Sequence, residues 1–132
     1  MNDRRIDLAA LVLRLTLGTV LLAHGLMKVI VFTPAGTAAF FEKIGLPGPL
    51  AYVTIVAELV AGYRTRLFAL AITPILFGSA LPHLGNGWVF SAPGGGWEYS
   101  VFLGFVAISA ALLGDGRYSI RTGAPVSRPV TA

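Results

Sequence analysis

From Leu8 to Phe32 the chain carries no acidic residue and reads as one hydrophobic helix. At a rise of about 1.5 Å per residue such a helix is roughly 36 Å long. That exceeds the roughly 30 Å hydrocarbon core of a bilayer. Yet the run contains Arg14, His24 and Lys28. An apolar span has no use for charges unless they face protein or reach an interface.

Composition limits the setting in which that helix can exist. Hydrophobic residues make up 55% of the 132 residues and charged residues 12%, about half the charged share of a soluble domain. A soluble chain this short could not bury so much apolar surface, whereas a membrane protein need not. The runs Leu67–Leu84 and Val101–Leu113 are also free of acidic residues. The chain therefore reads as a small polytopic membrane protein, with the lipid bilayer as its first partner. Lys and Arg outnumber Asp and Glu by ten to six, but no basic stripe with interleaved aromatics marks a nucleic-acid surface. The absence of cysteine excludes disulfides, thiolate nucleophiles and cysteine-held clusters or zinc in this chain. The first run is too long for the core of a cleavable signal peptide and is expected to remain as an anchor.

Four apolar segments follow: Leu8–Phe32, Leu50–Gly62, Leu67–Leu84 and about Trp97–Leu113. The expected fold is all-α, a four-helix transmembrane bundle over residues 1–118. Residues 119–132 form a polar tail expected to be disordered. Between the first two spans, Thr33 as N-cap, Pro34 at the first helical position and Gly45 as a stop predict a short helix. Phe40, Phe41 and Ile44 give it an apolar side that would lie along the membrane interface.

Arginines orient the bundle. One side holds Arg4, Arg5, Arg64, Arg66, Arg117, Arg121 and Arg128, and the other holds only Lys28 and Lys43. Cytoplasmic loops carry the excess of Lys and Arg, so both termini are expected in the cytoplasm. Trp88, Trp97 and Tyr99 then fall at the outer interface, where aromatic belts sit.

Arg14, Gly18, Leu21, Gly25 and Lys28 follow a spacing of four and three and form one line along the first helix, with His24 beside it. Glycines on that line allow a neighbouring helix to approach closely. By depth, His24, Lys28, His83 and Glu98 converge near the outer side. Glu58 is expected below them at mid-membrane, with Arg14 deeper. Each residue also has a plainer reading. Lys28 and Arg14 could snorkel to the nearer interface, and His83 and Glu98 could face water in loops. A carboxylate at the depth of Glu58 needs a partner or must be neutral. Arg14, Lys28 and a histidine are its candidates.

The segments RLTLGTVLLAHGLMK (14–28), FFEKIGLPGP (40–49), AELVAG (57–62), TRLFAL (65–70), the histidine of LPHLGNGW (81–88) and GGGWEYS (94–100) together resemble the DoxX family of membrane proteins over nearly the whole chain. The resemblance implies a four-helix bundle in a bacterial or archaeal cytoplasmic membrane. It also implies an association with redox work, since relatives take part in thiosulfate–quinone oxidoreduction and oxidative-stress complexes. One departure stands out. Tyr63-Arg64-Thr65-Arg66 directly follows AELVAG, which leaves about 20 Å of helix in the second span. A shallow hairpin, local thinning of the bilayer or loss of residues from a functional ancestor would each account for it.

Two functions compete on these residues. In the first, the chain is a redox-associated membrane subunit that binds a quinone or other small molecule. His24, Glu58 and His83 are then the catalytic candidates, as proton carriers. Arg14, Lys28, Glu98, Trp88 and Trp97 are the ligand-binding candidates. Electrons would pass through the ligand, a cofactor or a redox partner protein. In the second, the chain is a non-catalytic scaffold held by small-residue packing such as Ala107–Ala111 and Ala110–Gly114. A small-molecule carrier ranks third, because four short helices leave little room for a path without homo-oligomers. No tight ligand spacing favours haem or a divalent metal.

Overall fold

Breakers and caps divide the chain where its side chains require it. The computed structural model describes residues 3–114 and 116–118, apart from the side chains of 66 and 67. Helix α1 spans Asp3–Ile30, α2 Pro34–Lys43, α3 Leu50–Tyr63, α4 Thr65–Gly78 and α5 Glu98–Leu113, with a 3₁₀ turn at Leu81–Asn86. The described residues form helices and loops without a strand. The expected tail, 119–132, lies outside them.

Helix α2 starts on the cap expected for it. The Thr33 side chain accepts a hydrogen bond from the Gly36 amide and Pro34 opens the helix. Gly45, at a φ of 81°, turns the chain out of it. The Thr37 hydroxyl donates to the Thr33 carbonyl at 2.9 Å and lies 3.4 Å from the Lys28 carbonyl, so α2 is tied to the end of α1. Between α3 and α4 only Arg64 intervenes. The Thr65 hydroxyl takes up the Gly62 carbonyl at 3.1 Å, one of the acceptors a helix end leaves open. Here the third apolar segment departs from its expected bounds. The α-helix stops at Gly78, and Pro82 falls in the 3₁₀ turn that carries His83.

Small residues set the packing. A Cβ on Gly25 would lie 2.8 Å from the Leu59 side chain, and one on Gly18 would lie 2.8 Å from the Thr65 hydroxyl and 2.9 Å from the Gly62 carbonyl. These approaches run α3 antiparallel to the C-terminal half of α1. They place the α3–α4 turn level with Gly18. The hairpin is therefore shallow, and about 22 Å of α1 continues past it toward Asp3. Helix α5 reaches further: Tyr99 stacks near His24 at one end, and the Arg117 amide donates to Asp7 at the other, at 3.0 Å.

The core lies between α1, α3, α4 and α5, built from Leu17, Leu21, Ala61, Ala69, Ile72, Leu76, Leu103, Ala107 and Ala110. Outside it the surface stays apolar. Val12, Leu15, Val53, Val56, Leu70, Phe102 and Phe105 are all exposed. By length and composition, α1 is the one described helix able to cross a membrane. The apolar helices α3 and α5 and the stretch 68–78 are shorter.

The α1–α3 contact should be the most sensitive to added volume. Gly62→Ala places a Cβ 2.6 Å from the Leu22 side chain and 2.8 Å from its backbone nitrogen. A loss of about 1–3 kcal/mol is expected for such overpacking. Gly78→Ala meets open space and should leave stability unchanged or slightly raised. Thermal unfolding of the purified protein compares them, and equal melting of both variants would refute this account of the contact.

Candidate functional site

Lys28 lies in the last turn of α1 and Glu58 in the middle of α3. The register set by Gly25 and Leu59 brings them together. The Lys28 ammonium donates to both Glu58 carboxylate oxygens at 2.8 Å. The side chains keep only 18% and 9% of their exposure. Removing a carboxylate from water is costly unless a charge and hydrogen bonds replace the hydration, and the bidentate ammonium supplies both. Glu58 therefore pairs with Lys28, neither with Arg14 nor with a histidine. The level it shares with Gly25 sets it against the C-terminal third of α1.

The pair lines a cavity of about 630 Å³, whose wall also includes His24, His83, Tyr99, Thr54 and Ser79. Phe40, Phe41 and Ile44 of α2 cover it from one side. The His24 Nδ1 is 2.9 Å from the Val20 carbonyl one turn back, and the ring lies 6.1 Å from Tyr99, tilted by 28°. The His83 Nδ1 is 3.0 Å from the Gly94 carbonyl. Asn86 donates to the Gly94 and Gly95 carbonyls as well. The 3₁₀ turn and the glycine loop thus hold each other, and His83 is fixed at the rim.

Four of the sequence-level candidates therefore share one wall: His24, Lys28, Glu58 and His83. The other four do not. Glu98 accepts a hydrogen bond from the Phe90 amide at 2.7 Å and braces the loop before α5. Trp88 packs edge-on against Trp97, with ring centroids 4.4 Å apart. Trp88 and Glu98 line an adjoining apolar hollow of about 760 Å³ along α5, which shares Phe90 and Tyr99 with the cavity. Arg14 points the other way and donates to the Tyr118 carbonyl at 3.2 Å.

Sequence reasoning missed Tyr99 as part of the cavity and gave Asp7 no role. Asp7 is 4% exposed, although it lies among charged residues in sequence. No local signal distinguishes it, since its partner is an amide 110 residues away. Tyr99 could have been found by its neighbour Glu98, which marks the start of α5 at the level of His24. Among the described residues, no three His, Asp or Glu side chains gather as a metal site.

The DoxX family model matches residues 9–84, which include the pair, both histidines and all of α2. Among curated proteins the chain is similar to "Putative oxidoreductase CatD" of Bacillus subtilis (strain 168). The two are 28% identical over 125 residues, covering 86% of this chain and 84% of that protein. No solved structure matches the chain significantly.

The pair should behave as a buried unit. Glu58→Gln leaves Lys28 without its counter-charge. The expected cost is on the order of 3 kcal/mol, the low end for a broken buried pair because Lys28 keeps some exposure. The double change Lys28→Met with Glu58→Leu should recover most of that loss. A double-mutant cycle by thermal unfolding tests it, and a Glu58→Gln protein as stable as the parent rules out the pair as a structural element.

Proposed function

The chain belongs to the DoxX family, and on that premise we propose that it is a multi-pass protein of a cytoplasmic membrane. In this reading α1, α3, α4 with its 3₁₀ turn, and α5 form a four-helix transmembrane bundle with both termini in the cytoplasm. It works as a redox-associated subunit that binds a quinone or other small molecule on the outer side. The exposed apolar faces of the helices support the membrane setting, since a soluble monomer rarely presents so much apolar surface. The arginines at the α3–α4 turn and beyond α5 support the orientation. The name of the Bacillus subtilis relative supports the redox association.

The cavity is the observation that carries the ligand. A ligand pocket is largely apolar with a few convergent polar groups. Here an ion pair, two imidazoles and a phenol face phenylalanine and leucine side chains. In this reading Lys28 and Glu58 form the polar floor, while His24 and His83 accept or return protons as the ligand changes redox state. Electrons would leave through a partner protein or a second redox carrier. Helix α2 lies at the interface and covers the cavity mouth.

Two measurements test this reading. A reporter active only outside the cytoplasm should be silent when fused after Arg121 and active when inserted near Ser91; the reverse pattern would defeat the topology. The protein purified with its native lipids should release a tailed aromatic molecule, seen by mass spectrometry, and Lys28→Met/Glu58→Leu should lose it. If nothing beyond bulk lipid is found, and the double variant keeps its partners, the chain is a scaffold and the pair is a structural lock.

A further inference from the structure

We propose that the cavity selects the hydroxyl form of its ligand, a hydroquinone or phenol with an apolar tail, over the matching quinone. This inference rests on the ligand-binding reading above and specifies which redox form the site holds. It comes from counting where the hydrogens of the cavity wall already go.

A backbone carbonyl can only accept a hydrogen bond. The His24 Nδ1 faces the Val20 carbonyl and the His83 Nδ1 faces the Gly94 carbonyl, so each neutral ring carries its proton on Nδ1. Each Nε2 then offers a lone pair, and neither has a hydrogen-bond partner among the described residues. Two hydroxyls on this wall, those of Thr54 and Ser79, are spent in the same way. Thr54 donates to the Leu50 carbonyl at 2.9 Å, and Ser79 donates to the Leu76 carbonyl at 2.7 Å. Lys28 commits two of its three N–H bonds to Glu58. The carboxylate oxygens still hold lone pairs beyond those bonds.

The wall is consequently rich in acceptors and poor in donors. One Lys28 N–H remains, and the Tyr99 and Ser100 hydroxyls can rotate to either role. A quinone brings two carbonyl acceptors, which can use only the remaining Lys28 N–H and a hydroxyl turned to donate, and leaves both Nε2 lone pairs unmatched. A hydroquinone brings two O–H donors that meet the free Nε2 atoms and hydroxyl oxygens. Sites built to bond a ligand hydroxyl discriminate strongly against analogues that lack it, because their buried polar groups are left unpaired. Phe40, Phe41 and Ile44 provide the apolar side for a tail.

The experiment uses the full chain in lipid nanodiscs and three probes with the same decyl tail: a hydroquinone kept reduced under anaerobic conditions, its quinone, and its dimethyl ether. The hydroquinone should bind at least about tenfold more tightly than the other two. Equal affinities, or tighter binding of the quinone, would overturn the proposal and leave the ligand-binding reading standing. Failure of all three probes to bind overturns both. Nitrogen-15 spectra of the imidazoles give an independent check, with both rings expected as Nδ1–H tautomers. Nε2–H tautomers would sink the assignment even if the fold is intact. Finally, His24→Phe should weaken hydroquinone binding several-fold more than quinone binding. Equal weakening of both would assign His24 a structural role and contradict the selectivity argued here.

Discussion

The ion pair between Lys28 and Glu58 is the constraint around which the rest of the molecule is arranged. A carboxylate on a helix this apolar cannot stay charged without a counter-charge at contact distance. The nearest cation on α1, Lys28, lies in the last turn of that helix, so α3 must pack against its C-terminal half. Gly18, Gly25 and Gly62 make that packing close enough. The same register places the cavity between the pair, α2 and the 3₁₀ turn. Structure and site therefore share one contact. Interior polar groups are bonded at the cost of local freedom, and that demand has drawn the wall's donors toward backbone carbonyls.

Much of this was legible in the sequence, for identifiable reasons. The helical repeat of 3.6 residues projects Gly18, Leu21, Gly25 and Lys28 onto one line, and the line turns up as the buried face of α1 with Leu17 beside it. The caps of α2 follow from Thr33 and Pro34, whose effects are local. Depth counting brought His24, Lys28 and His83 to one level, but it set Glu98 there as well and Glu58 below them, whereas the cavity wall holds Glu58 and not Glu98. What periodicity could not supply was the register of one helix against another. Arg14 stands on the same line as Lys28 and was an equal partner for Glu58 on paper. Only the short α3, held to the outer half of α1, separates them. His83 moved from helix to 3₁₀ turn because α4 ends at Gly78, and Pro82 then takes an opening position of the 3₁₀ turn, where its missing N–H costs nothing; Pro74, by contrast, is carried inside α4. The roles of Glu98 and Asp7 depend on amides in distant loops, which carry no pattern in the sequence.

The shortened second span is the feature that most strains the membrane reading, and the geometry sizes the mismatch. In the proposed membrane setting, with Thr33 at the outer boundary, about 30 Å of helix would lead down α1 to the region of Arg14, where a cation belongs at an inner interface. The α3–α4 turn lies level with Gly18, four residues or about 6 Å above that boundary. An arginine side chain spans such a distance, so Arg64 can keep its charge at the headgroups while its backbone sits slightly inside. The residual strain is a few ångströms of local thinning, which bilayers tolerate at modest cost per ångström. On this measure no residues need have been lost from the second span for the site to work. The cavity and its ion pair lie beside the C-terminal third of α1, and the shortening falls at the opposite end of α3. A hairpin that stops early leaves the ion pair and the cavity whole.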